Sequence, residues 1–264
     1  RGDNDMSGIV NAYRQKSAAA VRRALVITLL LAIAPAWAAG PGDERHVKHV
    51  TFAKGKSSAT INGRIEGRRY IDHTLRAAAG QTLTVALKAS SRSAYFNLLP
   101  PGSPDAAMAI GELIDNRFEG LLPDDGVYTI RVYLVRAAAR RNAASDYTLE
   151  VGAGGTALKP VSAATDALVP GTRFHAQATV PCTPAYSQIR ECAAGVVRRG
   201  VDGTATVELG WGNKGMRRIL FIKGEARAAD SPQPMKANRN ERGWTVEFDG
   251  GERFEIPEPL VLGG

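Results

Sequence analysis

Arg136, Arg140 and Arg141 are the residues of this chain whose type and spacing most invite chemistry. They punctuate the stretch Arg136-Ala137-Ala138-Ala139-Arg140-Arg141-Asn142, which contains no acid. A guanidinium is planar, permanently charged and matched to carboxylates through paired N–H donors. Alanine favours helix, and residues four apart on a helical turn share a face. Arg136 and Arg140 are therefore expected side by side. A charge run at a turn can equally be a solvated feature that discourages edge-to-edge aggregation. The length of this connection and its Ala-rich middle argue for more than that, and an acidic partner is the expectation.

Other chemistries find less support. There is no Gly-x-Ser-x-Gly elbow, and no nucleophile–base pair can be named, so no catalytic residue is expected and the protein reads as a binder rather than an enzyme. His46-Val47-Lys48-His49 has no Glu between its histidines and precedes a strand, unlike a helical zinc-protease motif. Asp124-Asp125-Gly126 lacks the further oxygen ligands of a calcium loop and reads as a turn. No metal and no cofactor is expected. Trp211 and Trp244 have faces that can stack on a sugar, but core packing or hairpin pairing is the stronger expectation. Cys182 and Cys192 are the only cysteines. In an exported chain they read as one local disulfide, worth roughly 2.5–3 kcal/mol by loop closure; a metal site is the alternative, without a second pair of ligands.

The export expectation comes from the start of the chain. Arg14, Lys16, Arg22 and Arg23 precede an apolar run from Ala24 to Ala34, and Ala36-Trp37-Ala38 matches the small-x-small cleavage pattern. The run is shorter than the ~20 residues that span a bilayer. Residues 1–38 are thus expected to be a signal peptide, cleaved near Ala38, with an uncleaved anchor as the alternative, and the protein is expected to be periplasmic or secreted. The whole chain of 264 residues carries a net charge of +8. A modestly basic exported protein without aromatic-basic interleaving is a poor fit to nucleic acid; acidic proteins and anionic polymers suit it better.

The elements that would position the arginines read as short strands with turn punctuation. After a polar lead-in (39–49), strands are expected at Val50–Phe52, Ser58–Ile65, Tyr70–Arg76, Thr82–Leu87 and Tyr95–Leu99. A long strand runs from Val127, with Tyr128, Ile130, Val132 and Leu134 on one face. Another follows at Tyr147–Val151, and the arginines are expected at the tip joining this last strand pair. Gly152-Ala153-Gly154-Gly155 opens a linker, 153–168. Residues 169–264 have further strands at Phe174–Val180, Gly195–Arg198, Ala205–Gly210, Arg218–Lys223, Trp244–Phe248 and Arg253–Ile256, with Gln233–Arg242 as a long loop. No long amphipathic helix interrupts the pattern. The fold class is all-β: an antiparallel β-sandwich at 50–152 and a second small all-β domain with one disulfide.

Three stretches carry a resemblance. They are Val50-Thr51-Phe52-Ala53-Lys54-Gly55-Lys56-Ser57-Ser58-Ala59 with Gly63-Arg64-Ile65-Glu66-Gly67; Ala94-Tyr95-Phe96-Asn97-Leu98-Leu99-Pro100-Pro101-Gly102; and Leu122-Pro123-Asp124-Asp125-Gly126-Val127-Tyr128 running into Arg136-x-x-x-Arg140-Arg141-Asn142 and Tyr147. Over about residues 48–152 the chain resembles the periplasmic bacterial inhibitors of g-type lysozyme. Its Leu-Pro-x-x-Gly-x-Tyr strand is shared with the wider pre-peptidase C-terminal-like β-sandwiches. The resemblance implies a g-type or related lysozyme as the protein partner, met by a protruding loop in which Arg136 and Arg140 engage the enzyme's acids. It also implies Tyr70 on the same face and places Tyr95 and Asn97 in a matching motif that supports the loop. The family often has Asn after the first tip arginine, where Ala137 stands here. The C-terminal region is similar to bacterial regions without an assigned activity, through His175-Ala176-Gln177-Ala178-Thr179-Val180-Pro181-Cys182 and Phe254-Glu255-Ile256-Pro257. The alternative function is a non-catalytic envelope module binding peptidoglycan or a protein partner.

Overall fold

Period-two alternation builds the first half. In the computed structural model, which describes residues 44–263, its elements are β1 (Arg45–His49), β2 (Ser58–Glu66), β3 (Tyr70–Ala77), β4 (Thr82–Ala89), β5 (Ala94–Leu99), β6 (Ala109–Ile110), β7 (Arg117–Leu121), β8 (Gly126–Leu134), α1 (Arg136–Arg140) and β9 (Ala144–Gly154). The expected export signal lies outside the described residues. Two sheets form, one ordered β1-β3-β8-β5-β6 and the other β2-β9-β4-β7. The alternating residues Tyr128, Ile130, Val132 and Leu134 of β8 are buried against Leu83, Val85 and Leu87 of β4 and Leu149 and Val151 of β9. Each such aliphatic side chain contributes about 1.5–3 kcal/mol on burial, so this interface is what closes the sandwich. Tyr147 and His73 cross it with a bond of 2.9 Å between the phenol oxygen and Nε2. Gly63, opposite Tyr147 in the β2–β9 register, leaves room for that ring; a Cβ there would sit 2.4 Å from it.

Two expectations are corrected in this half. The arginines do not cap a hairpin, because β8 and β9 belong to different sheets and α1 is the crossover between them. The nine-residue connection 135–143, with its helical turn, has the reach for this step of about 10 Å between packed sheets. The first strand among the described residues is Arg45–His49 rather than Val50–Phe52. It pairs in parallel with β3 at the sheet edge, and its side chains are all exposed, so no apolar pattern announces it. Val50 and Phe52 instead fold over and pack against the core.

In the second half, β10 (Ala176–Thr183), β11 (Glu191–Arg198), β12 (Ala205–Gly210), β13 (Met216–Ile222), β14 (Glu225–Ala229), β15 (Met235–Asn240), β16 (Gly243–Phe248) and β17 (Arg253–Pro257) precede a short α2 (Glu258–Leu262). They make one antiparallel sheet ordered β14-β13-β12-β11-β10-β17-β16-β15. It curls around a single core, in which Val207, Leu209, Ile219 and Phe221 from one wing meet Trp244, Val246, Phe254 and Ile256 from the other. Trp244 stands edge-on to Phe221 at 5.1 Å and Trp211 lies 5.9 Å from Phe254, so both tryptophans pack inward. Cys182 and Cys192 are joined in a disulfide between β10 and β11. The expected loop at Gln233–Arg242 is largely β15, an edge strand whose mostly exposed residues hide its pairing with β16.

Within the described residues the two halves form one compact unit. The stretch 153–168 is held from both sides: Leu158 N–H donates to Ala79 O at 2.9 Å, and Val161 N–H donates to Arg198 O at 2.8 Å. His175 adds a staple, with Nε2 3.0 Å from Val161 O and Nδ1 accepting from Arg198 N–H.

Candidate functional site

Two sheet-to-sheet crossovers emerge at the same end of the first sandwich. One is the turn from β2 to β3, Gly67-Arg68-Arg69; the other is α1 with its exit, Arg141-Asn142-Ala143. They are stitched together where Gly67 N–H donates to Ala143 O at 2.8 Å. Gly67 has φ of +60°, and a Cβ on it would stand 2.5 Å from Asn142 Oδ1, so the close approach requires glycine. Asn142, itself at φ +52°, turns the chain out of the helix. The helix is seated by Ala138, which is 2% exposed and packs into the sandwich core.

Between the crossovers lies an open groove of about 530 Å³, lined by Gly67, Arg68, Arg69, Tyr70, Tyr133, Leu134, Arg136, Ala139 and Arg140. Arg136 and Arg140 are exposed and share it, as one helical turn dictates. Among the described residues neither forms an ion pair; Arg140 Nε donates only to Arg136 O, at 3.4 Å. Arg141, the residue capping α1 at its C-terminus, is exposed but stands outside the groove lining.

The floor comes from the outward-facing residues of the five-stranded sheet. Tyr70 is fixed by the Arg131 guanidinium, 4.5 Å from its ring centroid. Arg131 is in turn held by Asp72, through Nε at 2.8 Å and Nη2 at 3.0 Å, and by Asp105 at 2.9 Å. Asp72 is fully buried and also pairs with Arg45 at 2.7 Å. Tyr133 donates to Asn97 Oδ1 at 3.3 Å and lies opposite Tyr95 in the β5–β8 register. Burial, with Glu112 and Tyr95 nearby, raises the pKa of Tyr133, which keeps it a neutral donor. Asn97 thus supports the groove through Tyr133 without lining it. On the neighbouring turn Arg69 donates to Glu44 at 2.8 Å, and this bond with Arg69 holds the Glu44 carboxyl below its usual pKa. Cys182 and Cys192 lie in the other half and take no part.

Several residues escaped the sequence reading. Arg131 and Tyr133 were legible in principle, because the alternation that buries Tyr128, Ile130 and Val132 must turn their neighbours outward. Arg68, Asp72 and Asp105 carried no local signal. Nor did the fate of Asp124. Besides forming a turn, Asp124 is 1% exposed and receives Arg173 through two bonds, at 3.0 and 2.6 Å, Arg199 at 3.0 Å and Arg218 at 3.2 Å. Asp125 accepts from Arg199 at 2.8 Å, while Glu208 and Asp230 share Arg218. This ion cluster fastens the turn before β8 to the second half.

No family model matches the chain. It is 30% identical over 131 residues to the inhibitor of g-type lysozyme of Escherichia coli (strain K12), covering 49% of this chain and 93% of that protein. Among solved structures it is similar to PliG of Aeromonas hydrophila, a periplasmic inhibitor of g-type lysozyme: 37% identical, covering 43% of this chain and all of the other, with a TM-score of 0.41. It is also similar to the pre-peptidase C-terminal domain of a Bacillus anthracis collagenase, 17% identical over 43% of this chain and 98% of that domain, with a TM-score of 0.30.

Proposed function

The chain belongs to the family of inhibitors of g-type lysozyme, and from that premise we propose that it is a periplasmic protein that blocks a g-type lysozyme by seating Arg136 and Arg140 among the enzyme's acids. It works by occlusion and carries out no reaction of its own. Most glycosidases keep a pair of Asp or Glu side chains across the bond they cleave, and guanidinium groups match such acids through short, charge-assisted bonds. The observation that carries the reading is the placement of Arg136 and Arg140. Both are exposed on one helical turn, neither is paired to an acid among the described residues, and both share a groove with Tyr70 and Tyr133. Cations held ready in this way need no internal ion pair broken before binding, so little of the interaction energy is lost on reorganisation.

The test is a muramidase assay with the purified chain. Inhibition of a g-type lysozyme is expected at near-stoichiometric amounts, and no inhibition at micromolar excess overturns the reading. Arg136→Ala is expected to weaken inhibition by about 30-fold, since losing one partner of a desolvated charge pair costs at least ~2 kcal/mol. Unchanged potency would clear Arg136 of the role.

A further inference from the structure

Arg68 stands across the groove from α1, on the wall made by the β2–β3 turn. Its neighbour Arg69 is satisfied by Glu44 at 2.8 Å, and Glu44 is further occupied by His46 at 3.0 Å. Arg68 has no such partner among the described residues. It is exposed and lines both the main groove and the adjoining hollow formed with Glu44, Glu66, Arg69, Ala139, Arg140 and Asn142. Of the two acids in that hollow, Glu44 is engaged as described. Glu66 accepts a hydrogen bond from Asn142 Nδ2 at 3.4 Å and lies beyond ion-pair distance of every cation in the described residues. The stitch from Gly67 N–H to Ala143 O and the contact of Gly67 with Asn142 set the position of Arg68 relative to Arg140.

We propose that Arg68 is a third partner-contacting cation, and that the groove selects an acidic protein surface carrying a carboxylate beside the pair met by Arg136 and Arg140. The inference rests on the inhibitor reading above and adds a determinant of which lysozymes are bound. The three guanidinium groups come from two crossovers and converge on one opening, so a partner with acids only at the centre of its cleft satisfies two of them and leaves the third facing no charge. Arg68 sits at the rim, where a charge acts mainly on the rate of encounter and on its salt dependence. Its contribution is therefore separable from that of the inserted arginines.

The experiment measures association and dissociation of the full chain with a g-type lysozyme at low and high salt. Arg68→Ala is expected to slow association about 3- to 10-fold at low salt, and Arg68→Glu more. The difference is expected to shrink toward nothing as salt screens the rim. Arg68→Lys, which keeps the charge, is expected to retain most of the rate, and Arg117→Ala on β7, outside the groove, all of it. Thermal stability is expected to be unchanged throughout, because Arg68 makes no bond within the described fold. Parent-like association of both Arg68→Ala and Arg68→Glu, in a chain where Arg136→Ala weakens inhibition, overturns the Arg68 assignment and leaves the inhibitor reading standing. A parent chain that binds no g-type lysozyme overturns both.

Discussion

The bond between His73 and Tyr147 is a buried polar crossing between the two sheets of the sandwich, and its chemistry has a sign. His73 is 1% exposed, and Nδ1 has no hydrogen-bond partner. Its pKa is lowered from 6.5 to about 4, mainly by burial and also by the nearby charge of Lys48, with Asp72 opposing both. Between those two pH values the unfolded chain binds a proton that the folded chain refuses. The contribution of His73 to stability is therefore complete above about pH 6.5 and is lost as pH falls through 4, about 3 kcal/mol in all at 1.36 kcal/mol per pKa unit. Urea titrations at pH 7 and pH 4 should show this loss, and His73→Gln should unfold with a shallower pH dependence. A slope identical to that of the parent would mean that the proton goes elsewhere. His73 reads in the sequence only as an inward position on a strand. The pairing of Arg136 with Arg140 was more legible, because it follows from spacing along one helical turn. The placement of Arg68 in one groove with Arg140 brings together residues distant in the chain, which spacing alone does not announce.

Crossovers rather than strands carry the site. Strands could be read from alternation: β2, β3, β4, β5, β8 and β9 all begin within a few residues of where the sequence pattern places them. Which sheet each strand joins was not readable, since period two fixes the inward face but not the neighbour. That is why α1 was expected at a hairpin tip and is found between sheets. Edge strands were the other loss. In β1 and β15 nearly every side chain is exposed, and their backbone bonds leave no trace in the hydrophobic pattern. Because the groove depends on two crossovers meeting, it should be sensitive at their seam. Gly67→Ala places a Cβ 2.5 Å from Asn142 Oδ1 at a left-handed φ. The expected cost is about 1–3 kcal/mol of stability, together with weaker inhibition as the two walls separate. A variant that inhibits as well as the parent would show that the walls act independently.

At the scale of the whole molecule, the turn Pro123-Asp124-Asp125 is the keystone. Thr206 donates to Pro123 O at 2.7 Å, and Tyr128 donates to Asp124 O at 2.8 Å, so the backbone as well as the acids is engaged. The side chain of Arg199 is fully buried. Replacing Asp124 with Asn would leave buried guanidinium groups facing a neutral amide, and removing one side of a buried pair costs about 3–5 kcal/mol. Asp124→Asn is expected to lower the unfolding midpoint by a corresponding amount, and a midpoint within error of the parent would assign the junction to apolar contact instead. None of this was legible as more than a turn, because the partners lie 49 and 75 residues further along the chain. The same turn opens β8, whose nine residues end at the threshold of the groove. About 30 Å of extended chain therefore separates the clamp from the arginines. A partner seated on the arginines at one end of β8 thus need not touch the Asp124 cluster at the other.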